Sequence, residues 1–175
     1  MLKKLFLTLT SLLLLLSLVG CTQKKEILVS NVENTSEVDM SYYHKLKDNT
    51  NFKSISKKTL IGCINNNNTN AIIYMGYSDC ENCQKVVADI QKAAIERNQN
   101  IYYLDTEQEI KTDTDYDLLF ETLKPVLVSM DENKPDDLKI YTPHIFFIIN
   151  GELVQGYVGY ASGYDYSKLF KKNGF

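Results

Sequence analysis

The sequence predicts an α/β domain on a mixed central sheet, with a parallel portion, a C-terminal antiparallel hairpin and helices on both faces. Three observations lead there. From Phe52 onward, strand-like and helix-like segments alternate, the pattern of parallel β-α-β crossovers. "PHIFFIINGELVQGYVGY", residues 143–160, reads as two apolar strands joined by Asn150–Gly151, a pair suited to a type I′ turn. "AIIYMGY", residues 71–77, is a β-branched and aromatic run that passes directly into a helical pattern near Cys80.

Each element has its own warrant. "FKSIS", residues 52–56, reads as a short strand, and Ser56 suits the N-cap of a helix reaching about Asn65, with Leu60, Cys63 and Ile64 apolar. "NNNNTN" breaks the chain before the 71–77 strand. A helix is expected from about Cys80 to Arg97, and "NIYYLDT" supplies the next strand. Residues 113–130 read as helical through Leu118, Leu119 and Leu123, with a kink or restart at Pro125. "DENKPDD" is a loop, the hairpin follows, and "DYSKLFKKNGF" closes as a short helix whose cationic last turn complements its dipole. The expected order is β-α-β-α-β-α-β-β-α.

Length and composition bound the function. The chain has 175 residues, enough for one domain plus appendages, and a formal net charge of −3. No basic patch interleaved with aromatics occurs, so nucleic acid is not an expected partner. Nothing repeats along the chain.

The first twenty residues read as an export signal. Lys3 and Lys4 precede an apolar run from Leu5 to Val19, short for a membrane span. "LVGC", Leu18 to Cys21, resembles the lipobox of bacterial lipoprotein signals, which implies a lipidated Cys21 as the new N-terminus. Two or three acyl chains at about 0.8 kcal/mol per buried methylene hold a protein firmly on a membrane. The alternative is a retained anchor helix with a chance cysteine; either way the domain is expected outside the cytoplasm. Removing Lys3 and Lys4 leaves 17 of the 19 basic residues against 22 acidic ones, a net charge near −5. Residues 21–50 read as the lipidated cysteine and a polar tether, in which Tyr42, Tyr43 and Leu46 could dock as a short helix and His44 is expected in solvent. The folded domain is expected over 51–175.

The chemistry concentrates in Cys80–Glu81–Asn82–Cys83. Cys83, Val87, Ile90 and Ala94 share one helical face, so Cys83 belongs to the buried side, while Cys80 at the first turn is expected to meet solvent. Positions i and i+3 lie about 5–6 Å apart at Cβ, within reach of a disulfide after modest adjustment. Unpaired N–H groups at a helix start stabilise a thiolate, lowering a pKa of about 8.5 to roughly 3.5–7 in such pairs. Cys80 would then attack a substrate disulfide and Cys83 would resolve the mixed disulfide. Asp79 and Glu81 flank the nucleophile with negative charge and oppose the dipole, which keeps the thiolate less stabilised and favours a reducing pair. Two other readings stand beside this one. The cysteines could be a chance pair, or they could bind metal: zinc wants four ligands, and Cys63, His144 and His44 lie at no recognisable spacing, whereas copper(I) needs only two thiolates. Cys63 is expected to be a buried small hydrophobe, and His144 a packed or partly exposed side chain.

"YMGYSDCENC", its helix and "TPHIFFIINGELVQGYVGY" resemble the thioredoxin fold family over roughly residues 52–175. Within it, "GYSDCENCQ" and "IYYLDT" are most similar to the bacteriocin transport accessory branch, small extracytoplasmic proteins of Gram-positive bacteria. The resemblance implies that Pro143 is a cis-proline facing the cysteine pair, and that Thr142 offers its backbone to a substrate strand. Departures are plain: Asp79 replaces a tryptophan, Glu81–Asn82 replaces Gly–Pro, and Tyr74 falls where thioredoxin carries a buried aspartate. The expected function is a membrane-anchored extracytoplasmic thiol–disulfide oxidoreductase with catalytic Cys80 and Cys83 and no cofactor beyond that redox-active disulfide. Expected partners are disulfide-containing exported proteins or peptides and a membrane thiol electron donor, the protein itself being a monomer. A non-catalytic export accessory and a copper(I) carrier are the rival expectations.

Overall fold

The computed structural model describes residues 27–46, Asp48 and 51–175. The expected signal sequence and Cys21 lie outside the described residues. Strands β1 (Ser36–Glu37), β2 (Phe52–Ser54), β3 (Ala71–Gly76), β4 (Ile101–Asp105), β5 (His144–Ile149) and β6 (Glu152–Val158) form one sheet in the order β1-β2-β4-β3-β5-β6. The inner pairs β2–β4 and β3–β4 are parallel, whereas β1–β2, β3–β5 and β5–β6 are antiparallel. The molecule is therefore a mixed α/β fold on a six-stranded sheet.

Side-chain alternation explains why the sheet is covered twice. In β3, Ile72 and Tyr74 join one apolar cluster while Ala71, Ile73 and Met75 join another, as a two-residue period requires. The first cluster packs beneath helices α2 (Glu81–Glu96) and α5 (Tyr166–Lys172). The second is covered by α1 (Lys57–Cys63) and α4 (Asp113–Leu123). A single turn, α3 (Thr106–Glu109), follows β4. Ser56 caps α1 through Thr59 N–H, and Thr112 and Asp115 close a capping box on α4.

Three departures from the sequence reading have physical causes. Helix α4 stops at Leu123, because Pro125 allows only a 3₁₀ turn over Lys124–Val126. On α4, Leu119 and Leu123 are buried but Leu118 is exposed, a single position off the core-facing stripe. Finally, residues 27–46 do not stand off as a tether. Met40 and Tyr43 are each 1% exposed in the α2-side core, β1 extends the sheet, and Leu28 N–H bonds Gly174 O at 2.8 Å. Most of the scattered apolar positions in this polar stretch pack, among them Leu28, Val32, Val38 and Met40, whereas Ile27 and Val29 stay exposed. Tyr42, Tyr43 and Leu46 do dock, in turns rather than a helix.

The β5–β6 turn adopts the expected type I′ signs, with φ of 51° at Asn150 and 79° at Gly151. A Cβ at Gly151 would lie 2.6 Å from the backbone oxygen of Asn66. Gly151→Ala combines that clash with an unfavourable φ, and about 2–4 kcal/mol of destabilisation is expected in urea unfolding. Among the described residues, no helix is long and apolar enough to cross a membrane.

Candidate functional site

Strand β3 ends at Gly76, and four residues later Cys80 caps α2. Its backbone is extended, with φ −75° and ψ 107°, and its Sγ accepts the N–H of Cys83 at 3.1 Å. Cys80 N–H donates to Tyr77 O at 3.3 Å, closing the loop. Cys80 and Cys83 form a disulfide with Cα atoms 5.1 Å apart. The helix begins one residue later than expected, which places Cys80 at the cap rather than in the first turn.

The two sulfurs differ less in exposure than the helical pattern suggests. Cys83 is 0% exposed, as its position on the buried face requires, but Cys80 is only 6% exposed. The sequence expectation of a solvent-facing Cys80 is therefore corrected: its sulfur is bonded inward to Cys83, and the Thr142 hydroxyl approaches it to 3.7 Å. What exposure remains belongs to Cys80.

Thr142 and Pro143 come to this site from the loop entering β5, 62 residues along the chain. The Thr142–Pro143 peptide is cis, and Pro143 O accepts Gly159 N–H at 2.8 Å, which ties the loop to the end of β6. Asp79 and Glu81 stand exposed on either side of Cys80. Beside Thr142 a groove of about 460 Å³ opens, lined by Tyr77, Glu107, Ile110, Tyr116 and Tyr141.

Beneath the loop lies a group of tyrosines. Tyr43, Tyr74 and Tyr103 are buried with their rings at tilted or edge-on angles. Tyr43 OH donates to Tyr77 O at 3.2 Å and Tyr103 OH to Gly76 O at 3.3 Å, so both hydroxyls hold the backbone leading to Cys80. Burial pushes the Tyr43 phenol up to about 12 and raises Tyr74 and Tyr103 as well, so all three remain neutral donors at ordinary pH. A Cβ on Gly76 would meet Tyr74 OH at 2.9 Å and Tyr43 OH at 3.0 Å. Only a bare Cα lets the strand end pass this close to the hydroxyls.

The remaining sequence candidates lie elsewhere. Cys63 is a free, buried thiol in the α1-side cluster, on the sheet face opposite the disulfide, and burial raises its pKa. His144 pairs in register with Met75 and packs on Phe146, both associated with the α1-side face; it is buried and its Nε2 has no hydrogen-bond partner. His44 is exposed, and only its backbone N–H reaches the site region, donating to Gln84 Oε1 at 3.2 Å. Among the described residues, no three His, Cys, Asp or Glu side chains are grouped so as to hold a metal ion. Sequence reasoning missed Gln84 and the upstream segment that meets it, since a glutamine after the second cysteine carries no periodic signal.

No protein-family model matches this chain, and no curated protein matches it either.

Proposed function

We propose that the protein is a thiol–disulfide oxidoreductase of thioredoxin-like fold, anchored by a lipidated Cys21 on the extracytoplasmic face of a bacterial cell membrane. The observation that carries this reading is one juxtaposition: a Cys80–Cys83 disulfide at the start of α2 with the Thr142–cis-Pro143 loop 3.7 Å from the Cys80 sulfur. A structural staple four residues long would not need a second loop, from the neighbouring strand β5, laid onto its outer sulfur.

In the reduced protein, the Cys83 N–H and the α2 N-terminus favour the thiolate at Cys80. That thiolate attacks one sulfur of a substrate disulfide, forming a mixed disulfide and releasing the first substrate sulfur as a thiolate that water protonates. Cys83 loses its proton, its sulfur attacks Cys80 Sγ, and the second substrate sulfur leaves. The substrate gains two electrons and two protons, and the protein is left as the Cys80–Cys83 disulfide. A membrane dithiol donor returns the pair to its reduced state. Asp79 and Glu81 disfavour the thiolate at Cys80 and so favour the disulfide, which makes reduction of exported disulfide proteins or peptides the favoured direction.

Two measurements test this. Equilibration with a dithiol/disulfide buffer, read by alkylation and mass of the Cys80–Cys83 peptide, should give a reversible two-electron couple. Disulfide reduction of insulin should turn over catalytically. A pair that never equilibrates, with no turnover, rejects the reading.

A further inference from the structure

We propose that Gln84 is a positioning residue, tying the upstream segment Tyr42–His44 to the loop that enters Cys80 and thereby setting how stable the Cys80–Cys83 disulfide is. The inference rests on the redox reading above and adds to it a role for residues outside the cysteine pair.

The Gln84 carboxamide spends both of its donors and one acceptor site in one place. Its Nε2 donates to Ser78 O at 2.7 Å and to Tyr42 O at 2.9 Å, while its Oε1 accepts His44 N–H at 3.2 Å. Two carbonyls and one N–H facing it admit only this orientation. Ser78 lies two residues before Cys80, so one amide links the approach to the nucleophile with a segment some 40 residues upstream. Tyr43 repeats the link from within the same segment, its hydroxyl donating to Tyr77 O at 3.2 Å. Buried Met40 and Tyr43 anchor that segment in the core. The loop Tyr77–Cys80 is thus clamped from both sides by side chains that touch neither sulfur.

The physical consequence concerns the dithiol form. A disulfide is favoured over two thiols in proportion to the effective concentration of one thiol at the other, and that concentration falls as the intervening backbone gains freedom. With the clamp intact, Cys80 stays near Cys83 after reduction and the pair recloses readily. Without it, the loop before Cys80 moves more in the dithiol, and the disulfide loses stability relative to it. Loss of Gln84 therefore makes the pair more oxidising.

The test compares equilibrium constants for disulfide formation in the full chain for wild type, Gln84→Ala, Gln84→Met and Gln91→Ala. Gln84→Met keeps the unbranched length, adds no charge and removes both donations and the acceptor. Gln91 lies on the same helix and bonds Asp48 O at 2.8 Å, away from the cysteines, so it controls for general loosening. Both Gln84 variants should lower the constant about three- to tenfold, tenfold being about 30 mV for two electrons, with Gln91→Ala unchanged. If Gln84→Ala does not fold, Tyr43→Phe, which keeps the ring and removes the hydroxyl, should shift the constant in the same direction. Gln84 variants that titrate like wild type, or a Gln91 variant that shifts equally, overturn the positioning role while leaving the redox function standing. A wild type with no reversible couple overturns both.

Discussion

Cys80→Ser should lower disulfide-reductase turnover by roughly a thousandfold or more, to the uncatalysed background, without unfolding the protein. A serine hydroxyl in this position is not appreciably ionised at neutral pH and forms no bond to a substrate sulfur that could later be exchanged. The side chain is nearly isosteric, and its oxygen can still accept the Cys83 N–H that caps α2. What is lost structurally is a cross-link between positions only three apart. Chain entropy for so short a loop amounts to about 2 kcal/mol, a modest share of a domain's stability. Cys83→Ser separates the two half-reactions. Attack by Cys80 still occurs, but nothing resolves the mixed disulfide, so a covalent adduct with substrate should accumulate and be visible by mass under non-reducing conditions. Full turnover in Cys80→Ser, or adducts forming through Cys83 in preference to Cys80, would reverse the assigned roles.

The fold and the pair of cysteines were legible in the sequence for a simple reason: both are written in local periodicity. The alternation in 71–77 and the apolar stripe through Cys83, Val87 and Ile90 each name a buried face, and those faces are the ones the structure buries. Asn150–Gly151 specified its turn because few residue pairs tolerate positive φ twice in succession. Long-range information was another matter. Nothing local in "SEVDMSYYHKL" says that Met40 is buried or that the docked Tyr43 reaches the backbone leading to Cys80, because burial there depends on a surface made 30 to 60 residues later. The same limit hid the three hydrogen bonds of Gln84, and the Thr142–Pro143 loop over Cys80 was expected only through the family resemblance, not from any local pattern. Residues at helix starts looked exposed because helical periodicity describes one helix, not what is laid over its end.

Acid should weaken the fold through His144. This imidazole is 1% exposed, its Nε2 has no partner, and burial pushes its pKa down to about 4 from an ordinary value of 6.5. The native state therefore holds it neutral where the unfolded chain would protonate it. Between about pH 6.5 and 4 the unfolded state binds more protons, so stability falls as pH falls across that window and is fully present above it. A displacement of that size corresponds to about 3 kcal/mol by pH 4, a large fraction of a typical domain's margin. The carboxylate of Asp115, held down to about 2 by Lys57 and Thr112, works below its ordinary 3.8 and so outside this window. His144→Met, apolar and adaptable in shape, removes the titration and the unpaired nitrogen together. Urea unfolding from pH 7.5 to 4.5 should then show a steep loss for wild type and a much flatter profile for His144→Met; parallel profiles would mean that the histidine is not the acid-sensitive group. Because His144 directly follows Pro143 and opens β5, protonating it would disturb the strand that carries the Thr142–Pro143 loop.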